Sequence, residues 1–345
     1  MRLVRTTPFS KFPECLVAIA SLFSALGCQS FLQLYPVTSS CRSDSEIPSK
    51  DSDPVNQVAL HFVQDALGPD PAAAYSAFTA ETKENLTSEN FVGMFQRVVK
   101  PMGPFKDLHV AHTYIAMATG GNQGPQVVCG NVSRPEGWVA VNIKPGPVQA
   151  HVIVEGQTVN NSSLFVLWLF QEHGNWHVQY VQFATATMVG QSAEDLQRLA
   201  EVEQKQQHNL NAYILYAGAL QLADRGPYFQ LGIRPEIQKG IGELKVPRDL
   251  QGQPPYTWQF GESVFKVLNV GAIGVGGKIY LMVDHEIESW SENKIAEKKN
   301  RDLIAVFAKT HPEYKSAFAG LIVRAHERGG NRGFGTVDEN EKPSK

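Results

Sequence analysis

Between Pro104 and Thr187 the chain repeats one pattern six times: LHVAHTYIAMA, PQVVCGNV, WVAVNI, VQAHVIVEG, SLFVLWLFQEHG and NWHVQYVQFATAT. Each stretch is rich in Val, Ile, Phe, Trp and Tyr, which suit a pleated, half-buried surface, and turn residues separate them. His173-Gly174-Asn175, between the last two, carries the residue types of a tight hairpin. A series of strands joined so closely predicts a long antiparallel meander.

Helical periodicity precedes the strands. Asp53-Pro54 predicts an N-cap followed by Pro at the first helical position, with Val55, Val58, Ala59, Phe62, Val63 and Ala66 at helical spacing until Gly68-Pro69. A second helix is expected over Pro71 to Phe78. Thr87-Ser88-Glu89-Asn90 offers the cap of a third, whose Phe91, Met94, Phe95 and Val98 share one side. Helices followed by a meander predict an α+β fold, with the helices on one face of a curved sheet. Residues 192–225 predict one helix, from Ser192 with Glu194 and Asp195 in its first turn to Gly226-Pro227. Beyond it, strands near TWQFGESVFKVLNV and KIYLMVDHEIE, a helix from about Ser291 to Ala308 and the strand GLIVRAHE predict a smaller α+β domain.

The N-terminus reads as an address. Arg2, Arg5 and Lys11 precede the apolar run CLVAIASLFSAL, the layout of a secretory signal peptide, and the run is too short for a spanning helix, which needs about 20 apolar residues. Its closing residues, Ala25-Leu26-Gly27-Cys28, resemble the lipobox of bacterial lipoproteins, with Ala25 where leucine is usual. The resemblance implies cleavage before Cys28, acylation of its sulfur and attachment to a membrane of the cell envelope. Gln29, in place of the aspartate that retains such proteins at the inner membrane, implies the outer membrane, facing the periplasm. Ordinary cleavage and an uncleaved anchor are the other readings. The expected layout is a signal peptide over 1–27, a lipid-anchored flexible linker over 28–53, an α+β domain over 54–190 and a connecting helix over 191–226. A C-terminal α+β domain over 227–330 and a polar tail over 331–345 complete it.

The order of helices, the stretch AYSAFTAETKENLTSENF and the closing pair FVLWLFQEHGNWHVQYVQF resemble the cone-shaped NTF2-like (cystatin-like) superfamily over roughly residues 54–190. Fold likeness of this kind says little about function. Its catalytic members place an Asp or His with Tyr partners inside the cone, where burial tunes their pKa. The polar groups expected inside are His109, His112, Tyr114, His151, His177, Gln179 and Tyr180. Period two puts His112 with Tyr114 on one face and His177 with Gln179 on one face. His112, Tyr114 and His177 are the candidate catalytic residues. The plainer reading of each histidine is a structural or surface role, and Glu155 and Glu172, each near a glycine, read as turn residues.

Several chemistries are excluded or unsupported. Removing residues 1–27 leaves a net charge near −5 with no basic block, which argues against a nucleic-acid partner. GAIGVGGK at 271–278 lacks the spacing of a phosphate loop and reads as a hairpin. His285 and Glu286, with His326 and Glu327, hold the ingredients of a metal site, but alternation turns Glu286 away from His285, so neither a metal nor a cofactor is assigned. Cys41 and Cys129 are free to pair in an oxidising compartment, although Cys129 alone reads more simply as a buried apolar residue. The sequons at Asn85, Asn131, Asn160 and Asn161 matter only in a eukaryotic secretory pathway. The expected function is a non-catalytic envelope lipoprotein, bound to a membrane through Cys28, that takes a small apolar ligand or an envelope protein partner. The rivals are an isomerase- or dehydratase-type enzyme and a structural accessory subunit of an envelope assembly.

Overall fold

The computed structural model describes residues 38–119, 126–159, 161–330 and 332–340. The signal peptide and Cys28 therefore lie outside the described residues. Order begins well before Asp53. Strand β1 (Thr38–Ser43) pairs antiparallel with β2 (Lys106–Thr119), Cys41 opposite Ala116, and helix α1 (Ser49–Leu67) starts a turn earlier than its Asp53-Pro54 signal. Residues 38–53 are thus not linker but strand and helix. Their Ser- and Asp-rich composition hid this because an edge strand is held by ladder hydrogen bonds, with little side-chain burial. Pro54 lies in the second turn of α1, where it forgoes one backbone bond.

After α1 the expected second helix is a 3-10 stretch, Pro71–Ala77, capped by the Asp70 carboxylate, and α2 (Ala80–Asn85) follows. Helix α3 (Ser88–Val99) starts at its sequence signal, with the Thr87 hydroxyl accepting from the Asn90 N–H at 3.2 Å. These elements cover one face of a five-stranded antiparallel sheet, sheet 1, in the order β1-β2-β5-β6-β7, where β5 is Gln149–Gln157, β6 Ser162–Glu172 and β7 Asn175–Thr185. His173 and Gly174 form the two-residue turn between β6 and β7, both with φ positive, at +51° and +86°. The middle of the space between helices and sheet is filled by rings: Phe78 lies 5.2 Å from both Phe62 and Phe91, centre to centre, and Phe165 is 5.4 Å from Phe183.

The meander is not continuous. β3 (Gln126–Gly130) and β4 (Trp138–Asn142) leave sheet 1 and join β8 (Phe229–Leu231) in sheet 2, ordered β3-β4-β8. Val127, Val139, Val141 and Phe229 of this small sheet pack on Ala116, Ile153, Leu164 and Val166 of sheet 1. The result is three layers: helices, sheet 1 and sheet 2. Local pattern shows that β3 and β4 are strands but not which neighbours they choose, since either pairing satisfies the same alternation.

The single helix expected over 192–225 is two: α4 (Ala193–Lys205) and α5 (Asn209–Leu222), parted at Gln207, whose φ is +65°. The break lets the buried Glu203 carboxylate accept from His208 Nδ1 at 2.8 Å and from the Asn211 amide at 2.7 Å. Then come α6 (Arg234–Glu243) and sheet 3, ordered β13-β12-β11-β10-β9, with β9 Tyr256–Phe260, β10 Ser263–Val275, β11 Lys278–Ile287, β12 Gly320–Glu327 and β13 Gly333–Glu339. β11 and β12 run parallel, joined through α7 (Asn293–Thr310) and α8 (Tyr314–Ala317). Leu196, Leu215 and Ala219 share one core with Trp258, Leu281, Phe307 and Leu321. β13 occupies part of the expected polar tail. Its Gly, Asp and Glu residues belong to an edge strand on which only Thr336 is buried. No helix among the described residues is long and apolar enough to cross a membrane.

Candidate functional site

Where sheets 1 and 2 diverge, a cleft of about 460 Å³ opens. Tyr114, Val139, Ile153, Leu164 and Leu231 give it apolar walls, Asp44, Glu136, Glu155, Glu194 and Arg225 bring charge, and the His112 ring lies among them. The register of β2 against β5 shifts between Val110 and His112, so Ala111 and His112 both face the cleft. Tyr114 follows by alternation, and the two candidate rings stand 6.3 Å apart.

Their acidic partner was not expected. Asp44, just beyond β1, has φ +40°, in the left-handed region that a short polar side chain tolerates best. Its Oδ1 accepts from the Thr113 N–H at 2.8 Å, and its Oδ2 from His112 Nδ1–H at 3.0 Å. Burial, then the Asp44 charge, pushes the Tyr114 phenol well above its ordinary value.

Glu155 is likewise misplaced as a turn residue, for it lies inside β5 and accepts from the Ser162 hydroxyl. Its neighbour Gly156 is there for close packing: a Cβ would come within 2.8 Å of Leu108 Cδ2 and 3.3 Å of Phe105 Cδ1.

Arg225, three residues past α5, is only 7% exposed. Its Nη1 donates to the carbonyls of Leu222 and, at 3.0 Å, Asp224, while its buried Nε has no partner. Burial pushes the guanidinium down to about 10, against the opposing charges of Glu194, Asp224 and Glu155. The start of α4 borders the same cleft through Ser192, Ala193 and Glu194. Ser192 and Asp195 cap that helix reciprocally, Ser192 Oγ accepting from the Asp195 N–H at 3.2 Å and Asp195 Oδ2 from the Ser192 N–H at 2.9 Å.

The other expected cavity groups are elsewhere. His151 is buried, stacked on Trp168 at 5.4 Å, and its Nε2–H donates to the Asn142 carbonyl at 3.0 Å, tying sheet 1 to β4. Burial pushes its pKa down to about 4, so the ring is neutral. The structure does not bring His177 and Gln179 together. A register shift in β7 interrupts the alternation, His177 lies opposite Phe170, and Gln179 Oε1 accepts from the Thr79 hydroxyl at 2.7 Å. Tyr180 packs on Tyr228, and His109 sits near the start of β2 beside the Asp107 carbonyl.

In sheet 3, His285 is buried under α7 and donates to Asn300 Oδ1 at 2.8 Å, while His326 and Arg324 bind Asp284 on the other face. Among the described residues no group of His, Cys, Asp and Glu is placed to hold a metal ion. GAIGVGGK forms the β10–β11 hairpin, with Gly276 and Gly277 at φ +56° and +76°. Cys129 is not a lone buried thiol: it forms a disulfide with Cys41 that links β1 to β3 at the edge of the cleft.

No family model, no curated protein and no solved structure matches the chain. The chemistry of the cleft rests on its own residues. Of the serines that line the cleft, Ser43 and Ser162 donate their hydroxyls to Glu46 and Glu155, and Ser192 Oγ accepts from the Asp195 N–H. An apolar wall with a few charged groups is the composition of a ligand site.

Proposed function

We propose that the protein is a non-catalytic binding protein whose ligand lies in the cleft between sheets 1 and 2. One observation carries this reading: a cleft of about 460 Å³ joins apolar walls to a buried arginine with an unpartnered nitrogen. The helix side of sheet 1, where an NTF2-like cone keeps its ligand, is packed with phenylalanines at its centre, and the cleft of about 470 Å³ at its edge, beside Ala66, Phe95, Phe105 and Leu108, carries Lys100 as its charged group and no buried arginine. Native mass spectrometry of the gently purified chain tests the proposal. Wild type is expected to retain a small molecule that Ala111→Trp, which fills the cleft from the β2 bulge, does not. Equal retention by the two proteins, or none by either together with no ligand-induced stabilisation, sinks it.

A second reading, an isomerase- or dehydratase-type enzyme, is favoured by the Asp44–His112 pair beside Tyr114. It requires His112→Gln to abolish turnover of a substrate that still binds.

The NTF2-like assignment is supported by four helical segments packed on one face of an antiparallel sheet that closes with the β6–β7 hairpin. Sheet 2 is an addition to that plan. Export to the cell envelope is supported by the Cys41–Cys129 disulfide, since such bonds persist in oxidising compartments. Lipid anchoring at Cys28 rests on the lipobox-like segment. Intact mass of protein from bacterial membranes, beside a Cys28→Ser variant, tests it: a chain that begins at Cys28 with acyl mass is expected, and an unmodified chain ends the proposal.

A further inference from the structure

Of the charges around the cleft, one is buried and the others are not. Arg225 is 7% exposed, whereas Asp44 and Glu136 are exposed and Glu155 and Glu194 are half-buried. Taking a guanidinium out of water costs several kcal/mol unless charge or hydrogen bonds offset it. Here the offsets found among the described residues are two carbonyls on Nη1 and carboxylates that act at longer range without forming an ion pair. Nε–H is left with no acceptor.

Beside this arginine, α4 presents its first turn to the cleft. With the Ser192 and Asp195 N–H groups used in the capping box, those of Ala193 and Glu194 remain outside the helix's own bonding pattern, at the positive end of the helix dipole. A buried guanidinium with a free N–H and a helix start in the same cleft fit a carboxylate. They do not fit a free polyanion, because the four carboxylates of the lining outnumber the one arginine. A ligand that carries a carboxylate and an amine satisfies both features.

Resting on the ligand-cleft reading above, we infer that the cleft takes a small amino-carboxylate of amino-acid size. Its carboxylate accepts from the Arg225 guanidinium at the start of α4, and its ammonium faces the acidic residues Asp44 and Glu136. The His112–Asp44 pair then stands at the ammonium end as a positioning element.

Calorimetry and thermal shift on the full chain test this with the twenty standard amino acids, each beside its decarboxylated amine and its N-acetyl derivative. At least one amino acid is expected to bind and to raise the unfolding midpoint. Removing either charged group from it is expected to weaken binding about tenfold or more, the range of a charge-assisted hydrogen bond. Arg225→Met is expected to abolish binding. Arg225→Lys, which keeps the charge but not the planar fork, retains a weakened fraction and serves if the Met variant does not fold. No binding by any amino acid, equal binding of an N-acetyl or decarboxylated analogue, or binding indifferent to both Arg225 variants overturns the inference. The apolar fluorophore N-phenyl-1-naphthylamine separates the two levels. If amino acids fail but the fluorophore binds wild type and not Ala111→Trp, the amino-carboxylate assignment falls and the ligand cleft stands. If neither binds, both fall.

Discussion

Cys41 and Cys129 are 88 positions apart in sequence, yet their Cα atoms are 5.3 Å apart across the disulfide that fastens edge strand β1 to β3. In the chain-entropy account a cross-link that closes a loop of this length removes enough unfolded-state freedom to stabilise the fold by about 4.5 kcal/mol. The bond also fixes the segment that delivers Asp44 to His112. Cys41→Ser with Cys129→Ser is expected to lose on the order of 3–5 kcal/mol in denaturant unfolding. An unchanged midpoint would show that β1 is held by its ladder alone.

Burial of His151 makes the fold sensitive to mild acid. Its folded pKa, about 4, lies below its ordinary 6.5, so the unfolded chain binds the proton first. The stability contributed by the neutral ring is complete above pH 6.5 and is lost as pH falls toward 4, a total of about 3 kcal/mol. In His151→Phe this part of the pH dependence disappears, at the cost of the bond to the Asn142 carbonyl at every pH. Urea melts of both proteins between pH 4 and pH 8 check it. Parallel curves would refute the assignment.

Arg324 neutralises an aspartate with little access to water. Asp284 has a side chain only 9% exposed and receives Arg324 Nε at 2.6 Å and Nη2 at 2.8 Å, with His326 at 3.1 Å. Burial alone would raise its carboxyl, but these partners outweigh burial and hold it below 3.8. The stability it contributes is present above pH 3.8 and lost as pH falls through the lowered value. Arg324→Met strands the charge and is expected to cost about 3 kcal/mol at pH 7, with Asp284→Asn in the same chain restoring much of the loss. A double-mutant cycle measures the coupling, and additive losses would deny it.

The parts of the fold legible in the sequence are those that local chemistry decides. Thr87 caps α3, His173-Gly174 and Gly276-Gly277 turn their hairpins, and period two brings His112 and Tyr114 to one cleft. What escaped depends on partners distant in sequence. β1 is polar and becomes a strand only because β2 offers an edge, and the split between sheets 1 and 2 is a choice of neighbours. Gln179 changes sides through a register shift that no residue type announces. In the site, Asp44 was hidden in the expected linker, Glu155 behind a glycine that serves packing, and Arg225 at the end of an expected connecting helix. For Arg225 a signal was present: an arginine just past nine buried residues of α5 sits where burial is the default.

The aromatic filling closes the centre of the helix side of sheet 1, with a cleft of about 470 Å³ at its edge beside Ala66, Phe95, Phe105 and Leu108. Phe91 is fully buried, with ring centres at 5.2 Å to Phe78, 5.6 Å to Phe95 and 5.9 Å to Phe62. Phe91→Ala removes a ring that three others surround, and rings so tightly packed cannot all collapse into the gap. The expected loss is about 3–5 kcal/mol, and the space left is expected to stay dry and admit a benzene-sized apolar molecule. Benzene should therefore raise the unfolding midpoint of Phe91→Ala and leave wild type unmoved. If benzene stabilises wild type equally, it binds the cleft already open beside Phe95 and Phe105, and the search for the natural ligand belongs there as well as in the cleft between the sheets.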